Sequence, residues 1–270
     1  MVDDKKLYAG IDVGSLTAEA LILDQDGKTI ASTIIKVRPR PEQSARDAFD
    51  VVLDAAGLSE DQISLCFSTG YGRDSISFSA KNISEISCHG RGAHYLAPAI
   101  RTVIDVGGQD CKIIRVDDSG YLEDFAMNDK CAAGTGRFLE MMSRTLGVDI
   151  SELGALAAGS KKPFALSSIC TIFAELEVMQ LLYAKKKRKD IAAGIHVSLA
   201  RRIKSLVGRV GLSGNVCMTG GVSKNTKMVQ LLEQELGVTF QNLSMDPQLV
   251  GAFGAALFAR DALQRKASKK

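Results

Sequence analysis

The sequence has no Cys-x-x-Cys pair, no His-x-x-x-His or His-Glu-x-x-His pattern and no Gly-x-x-x-x-Gly-Lys-[Ser/Thr] loop. Zinc-finger, zinc-hydrolase and P-loop chemistry are therefore not expected from this chain alone. It also lacks an apolar run of 18 residues, so no membrane span is expected. The opening MVDDKKLYAG enters a strand-like segment without the apolar core of an export signal, and a cytoplasmic protein is expected. An excess of one charge is missing too. Lys plus Arg number 34 and Asp plus Glu 31, a net of +3, and the charges are interspersed, which gives no reason to expect a nucleic-acid partner. The six cysteines, without an export signal or close pairing, are not expected to form disulfides.

What is present is an internal repeat. YAGIDVGS at 8–15 returns as TVIDVGGQ at 102–109, so Asp12 corresponds to Asp105 and Gly14 to Gly107, with an offset of 93. Gly27, in the turn QDGK, carries the same offset to Gly120 in DDSGY. Each copy reads as a three-stranded meander that feeds helix, strand, helix. In the first, the meander precedes the helical EQSARDAFDVVLDAAG, the buried strand ISLCFSTG and the helix SEISCHGRGAHYLAPA. In the second, a helical region at 131–210 precedes the strand NVCMTGGV, the helix KNTKMVQLLEQELG, a short strand TFQNL and the closing helix PQLVGAFGAALFARDALQRK. This is the plan of an α/β fold with tandem ribonuclease H-like lobes, a cleft between them and a helical insertion in the second lobe. Residues 1–100 with 249–270 are expected to form the first lobe and 101–248 the second. The charged KKKRKD at 185–190 and the tail RKASKK read as a solvated loop and a frayed end.

A strand ending in Asp-Val-Gly-Ser or Asp-Val-Gly-Gly turns tightly and offers backbone N–H groups to a phosphate. Asp12 and Asp105, at the two strand ends, are candidates to hold Mg²⁺ through water or to orient an attacking water, and Gln109 follows the second turn. Gly14, Ser15 and Thr17 form the first phosphate turn, and Gly107 and Gly108 the second. Gly220 and Gly221 of MTGGVSKN open a helix suited to the ribose or α-phosphate of a nucleotide. The bland alternative is that these glycines make turns which the Asp residues cap.

In NDKCAAGTGRFLE, Cys131 lies at or near a helix start. Cys170 in SSICTIFAELEVMQLL does the same, with Ser167 or Ser168 as candidate N-cap. Helix N-termini favour thiolates, so metal-ligand and nucleophile roles stand beside that of a small core hydrophobe. Two thiols are too few for a four-cysteine iron–sulfur site, although a two-fold dimer would supply four. Cys66, Cys88, Cys111 and Cys217, inside strands or a helix, read as core.

The motifs IDVGS, STGYGR, EISCHGRGA, IDVGGQD, NDKCAAGTGRFLE, SSICTIFAE, MTGGV and GAFGAALFA together resemble the ATP-dependent activators of 2-hydroxyacyl-CoA dehydratases. That family also holds the ATPase subunits of benzoyl-CoA reductase and the reductases of double-cubane cluster proteins. The resemblance implies the fold of the acetate and sugar kinase, chaperone and actin superfamily. It implies a homodimer bridged by one [4Fe–4S] cluster, with Cys131 and Cys170 as one chain's ligands. ATP, ADP and Mg²⁺ would lie on the hairpins of Asp12 and Asp105. Gly134 and Gly136, after the cluster cysteine, would let the helix start approach the cofactor closely, Gly220 and Gly221 match the adenosine turn, and Gln248 matches a position near the nucleotide. A ferredoxin or flavodoxin would supply one electron, and ATP-driven closure would release it to a partner iron–sulfur dehydratase or reductase component.

The chain departs from the family pattern GSTxxK at Leu16 and Glu19, which puts a carboxylate where a cation is usual. Ile169 and Leu176 replace hydroxyl residues of the cluster motif, which is expected to lower the cluster potential if they point inward. The segment VRPRPEQSA lacks the family's glycine-threonine run and leaves the acceptor open. A small-molecule kinase of the same superfamily and a nucleotide-switched interaction protein are the competing readings.

Overall fold

A computed structural model describes residues 6–128, 131–167 and 170–267. It divides into two compact units. The first comprises residues up to Arg101, the turn Val116–Glu123 and the segment from Leu243 on, and the second Thr102–Arg115 with Asp124–Asn242.

The first unit is built on the strands β1 (Leu7–Val13), β2 (Thr17–Leu23), β3 (Thr29–Lys36), β4 (Ile63–Thr69) and the short β5 (Lys81–Asn82), in the order β3-β2-β1-β4-β5. Strands β1 to β3 form an antiparallel meander, and β4 lies parallel to β1. Residues 7–13 and 17–23 are almost wholly buried, as expected for a sheet covered on both faces. Helix α1 (Pro41–Ala56) covers one face with Ala45, Ala48, Phe49, Val52 and Leu53, whose three- and four-residue spacing makes one apolar stripe. It ends at Gly57, in the left-handed conformation.

Helices α2 (Glu85–Leu96) and α8 (Val250–Ala267) pack on the opposite face. A Cβ on Gly10 of β1 would lie 1.9 Å from the Ala252 carbonyl oxygen, so the helix backbone crosses the strand at a separation only glycine permits. Leu249, Ala252, Phe253, Ala256 and Leu257 then close over Leu21 and Leu23.

The second unit repeats the sheet plan with β6 (Ile100–Val106), β7 (Cys111–Val116), β8 (Leu122–Asn128) and β9 (Asn215–Thr219), in the order β8-β7-β6-β9. The expected tandem ribonuclease H-like α/β fold is present. The segment TFQNL, expected to be a strand, contributes only the bridge between Val216 and Phe240. Helices α3 (Gly136–Leu146), α4 (Ile150–Ala158), α5 (Thr171–Tyr183) and α6 (Arg188–Val210) fill the expected helical region, and α7 (Thr226–Leu236) follows β9. The long α6 is the centre of this unit's core, with Ile191, Ile195, Leu199 and Ile203 buried along one side. Among the described residues no helix is long and apolar enough to cross a membrane.

Candidate functional site

In the first unit the turn between β1 and β2 is closed by the Gly14 amide donating to the Thr17 carbonyl at 3.0 Å. Ser15 sits within that turn, half-buried. Asp12 is buried at the end of β1, with His89 Nε2 of α2 3.8 Å from its Oδ2. A Cβ on Gly251, in the first turn of α8, would lie 2.0 Å from that same oxygen. Gln248 precedes α8, and its Nε2 donates to Thr17 Oγ1 at 3.4 Å, so two residues singled out for nucleotide contact meet although they are far apart in sequence.

In the second unit Gly107 and Gly108 occupy the equivalent turn, where the Gly107 amide donates to the Asp110 carbonyl at 3.0 Å. Gln109 is exposed at the turn. Asp105 is buried and accepts from Thr219 Oγ1 at 3.0 Å on Oδ1 and from Lys112 Nζ at 3.2 Å on Oδ2. Lys112 also reaches Asp110 Oδ1 at 2.7 Å. Gly220 has φ +81, and a Cβ there would meet the Val106 carbonyl oxygen at 2.4 Å, so the MTGG turn lies directly on the DVGG strand end. Gly221 begins the single turn that precedes α7.

The offset that relates Asp12 to Asp105 also relates Glu19 to Lys112. Register confirms the match: Asp12 faces Glu19 across β1 and β2, and Asp105 faces Lys112 across β6 and β7. The two hairpins therefore carry opposite charges at one equivalent position, with Glu19 buried.

The second hairpin is tied to the segment that carries Cys131. The amides of Gly136 and Arg137, the first residues of α3, donate to the carbonyls of Gly107 and Gly108, each at 2.8 Å. The loop before α3 is held by Asn128, whose Nδ2 donates to the Cys131 carbonyl at 3.3 Å and the Ala133 carbonyl at 3.2 Å. Gly134, at φ +115, takes a conformation few other residues adopt. Cys131 itself stands five residues ahead of α3 rather than at its first turn.

Cys170 is the N-cap residue of α5, the place expected for Ser167 or Ser168. Ser168 and Ile169 lie outside the described residues. Ser167 instead donates its amide to both Glu177 carboxylate oxygens at 3.1 Å, which fastens the loop before Cys170 to the helix after it. Leu176 is exposed on α5. Helices α3 and α5 are joined by Thr145 Oγ1 donating to Glu175 Oε1 at 2.9 Å.

The six thiols fall into two classes. Cys66, Cys88, Cys111 and Cys217 are buried, and burial pushes all four up, Cys66 to about 12 and the others further. Cys131 and Cys170 are exposed. Both act electrostatically on one guanidinium, that of Arg202 on α6, which sits 5.4 Å from the centre of the Phe138 ring. Burial holds the Arg202 pKa below its usual value, and the two cysteines oppose that shift. His196 is buried and held low by burial. Its Nδ1 lies 2.8 Å from the Ala192 carbonyl, and Asn225 Nδ2 lies 3.0 Å from its Nε2, a structural arrangement at the start of α7. No group of three or more metal-ligating side chains occurs among the described residues.

Sequence reasoning missed Lys112, Thr219, Asn128, Arg202 and Glu177. Lys112 was within reach, because the repeat offset leads to it from Glu19. Thr219 and Arg202 depend on contacts between distant segments, and Asn128 and Glu177 on loop contacts that no periodicity marks.

Relatives and solved structures match nearly end to end. The chain is 42% identical to the 2-hydroxyisocaproyl-CoA dehydratase activator of Clostridioides difficile, over 97% of each chain. It is 44% identical to the (R)-2-hydroxyglutaryl-CoA dehydratase activating ATPase of Acidaminococcus fermentans, over 93% of this chain and 95% of that one. The structure of the Clostridium difficile activator with bound ADPNP superposes with a TM-score of 0.92, at 40% identity and 98% coverage of each. Residues 9–259 match the family of BadF/BadG/BcrA/BcrD ATPases, and with these relatives the match shows that the chain belongs to that family.

Proposed function

We propose that this protein is an ATPase that delivers single low-potential electrons to a partner iron–sulfur protein, such as a 2-hydroxyacyl-CoA dehydratase or a double-cubane cluster protein. The observation that carries this reading is the pair of hydrogen bonds from Gly136 and Arg137 to Gly107 and Gly108. They make the second phosphate turn and the start of α3 a single piece of backbone, so a nucleotide that moves the turn moves the helix behind Cys131. A small-molecule kinase has no use for that connection or for two exposed thiols.

In this reading Asp12 and Asp105 hold Mg²⁺ through water or orient the attacking water, and Gln109 stands beside the γ-phosphate. The amides of Gly14, Ser15, Gly107 and Gly108 receive phosphate oxygens. Thr17 and Gln248 position the tail from the first unit, and Gly220 and Gly221 leave room for the adenosine. Cys131 and Cys170 fit half of a four-thiolate site: they are the two exposed thiols among six, and both lie within electrostatic reach of Arg202. A second copy of the chain supplies the other half. A [4Fe–4S] group bound there supplies a one-electron store. Reduced ferredoxin or flavodoxin is the electron source, and ATP hydrolysis returns the hairpins to their starting positions.

Anaerobic purification tests the reading. A brown dimer with about four irons per two chains, whose colour bleaches on reduction, is the expected result. A colourless, iron-free monomer after reconstitution would sink it.

A further inference from the structure

Helix α5 is apolar on two sides. Ala174 and Val178 face the core, while Ile172, Leu176, Met179 and Tyr183 form an exposed row at helical spacing, with Phe173 on its flank. Ile172 is 70% exposed and Tyr183 88%, values typical of single surface residues but not of a contiguous row. The row ends in a cationic run. Lys185 takes the left-handed conformation at φ 54, the only described residue other than glycine with a positive φ, and it directs the chain into Lys186 and Lys187. Lys185, Lys186, Lys187 and Lys189 are all exposed, whereas Arg188 turns back to donate to the carbonyls of Leu146 and Gly147. A cation or two at a helix C-terminus answers the helix dipole; a run of four exposed lysines exceeds that need.

We propose that the exposed row of α5 and these four lysines form the docking surface for an acidic electron-carrier protein. The inference rests on the proposed electron-donor function and names where the electron enters. Charge decides the occupant. A second copy packed row against row would place its lysines beside these, or against the positive N-terminal end of α5, and both arrangements repel. An acidic protein meets an apolar row with cations gathered at its C-terminal end, an apolar patch with a charged border of the kind transient interfaces use. The helix is about 20 Å long at 1.5 Å per residue, within the footprint of a small carrier. Such a carrier can anchor on the lysines and lie along α5, leaving the Cys170 end itself to the second copy that completes the cluster.

The test measures binding of a 2[4Fe–4S] ferredoxin to the purified full chain by interferometry, at about 50 and about 300 mM salt. Wild-type binding should weaken at least ten-fold at the higher salt. Lys185→Glu, Lys186→Glu and Lys187→Glu combined should weaken it at least ten-fold at low salt and flatten the salt dependence. Leu176→Ser with Tyr183→Ser should weaken binding while leaving the salt dependence in place. Iron content, nucleotide binding and solution mass should be unchanged in both variants. Absent ferredoxin binding, or binding indifferent to the charge reversal, overturns the proposal. A change in solution mass instead of ferredoxin affinity also overturns it and assigns the face to a second copy. Binding can be read on iron-free protein, so a colourless preparation counts against the electron-donor function without deciding the docking result.

Discussion

The amide of Gly136 donates to the carbonyl of Gly107 at 2.8 Å, and this bond joins the turn after β6 to the first residue of α3. A Cβ on Gly136 would lie 3.0 Å from that same oxygen and 3.4 Å from both the Gly108 Cα and Val222 Cγ2. Gly136→Val therefore has to push the turn away. It should weaken ATP-analogue binding about ten-fold, or roughly 1.4 kcal/mol, while leaving the thiols in place. Fluorescent-nucleotide titration measures this, and wild-type affinity would show that the turn does not contact phosphate.

Lys112 lies between Asp105 and Asp110 and is buried, as is Asp105. Lys112→Met removes the cation and leaves the buried Asp105 carboxylate with Thr219 but without its ion-pair partner. Breaking such a pair costs about 3–5 kcal/mol. Urea unfolding should show a loss of that order, and a loss below about 1 kcal/mol would mean that water enters to solvate Asp105.

Glu19 faces Asp12 where Lys112 faces Asp105. Glu19→Gln removes one negative charge from the first hairpin and should tighten ATP binding by about 1 kcal/mol, or roughly five-fold, at low salt. Weaker binding in the variant would assign Glu19 to a favourable role, such as holding the metal ion.

Glu177 accepts from the Ser167 amide and hydroxyl, which restrains the loop leading to Cys170. Glu177→Ala should free that loop and raise the rate of Cys170 alkylation several-fold in iron-free protein, with Cys131 little changed. Peptide mass spectrometry resolves the two sites. Equal acceleration at both cysteines would point to a loss of stability throughout the unit.

Burial raises the thiols of Cys66, Cys88, Cys111 and Cys217, so the fold prefers them neutral. For a group raised in the folded state, stability is fully present below the unfolded value, 9.0 here, and falls as pH rises toward the folded value. For Cys66 that window ends at about 12. Unfolding at stepped pH should show this alkaline loss, and Cys66→Ala should reduce it. At pH 8, iodoacetamide should label Cys131 and Cys170 in the folded, iron-free protein and the other four only in denaturant.

The repeat made much of the fold legible, because a buried strand ending in Asp-Val-Gly has a strong local pattern and appears twice. Both sheets, the helical region and the closing helix followed from it. The segment TFQNL has the composition of a strand but too little pairing to become one. The supports of the site were harder to read. Thr219 meets Asp105, and Ser167 meets Glu177, through side chains whose separation in sequence has no periodicity. Cys170 holds the N-cap position of α5 without a side-chain cap hydrogen bond, and Ser167 is bonded to Glu177 instead. The charge contrast between the hairpins was present in the sequence, at the offset already in use.

The crossing of α8 over Gly10 also constrains how the chain is made. The first unit is assembled from both ends of the polypeptide, and its sheet lacks one apolar cover until α8 has emerged from the ribosome. The second unit, complete by Asn242, is free to fold earlier. During synthesis β1 and β2 stay an uncapped sheet face for the time taken to translate more than two hundred residues.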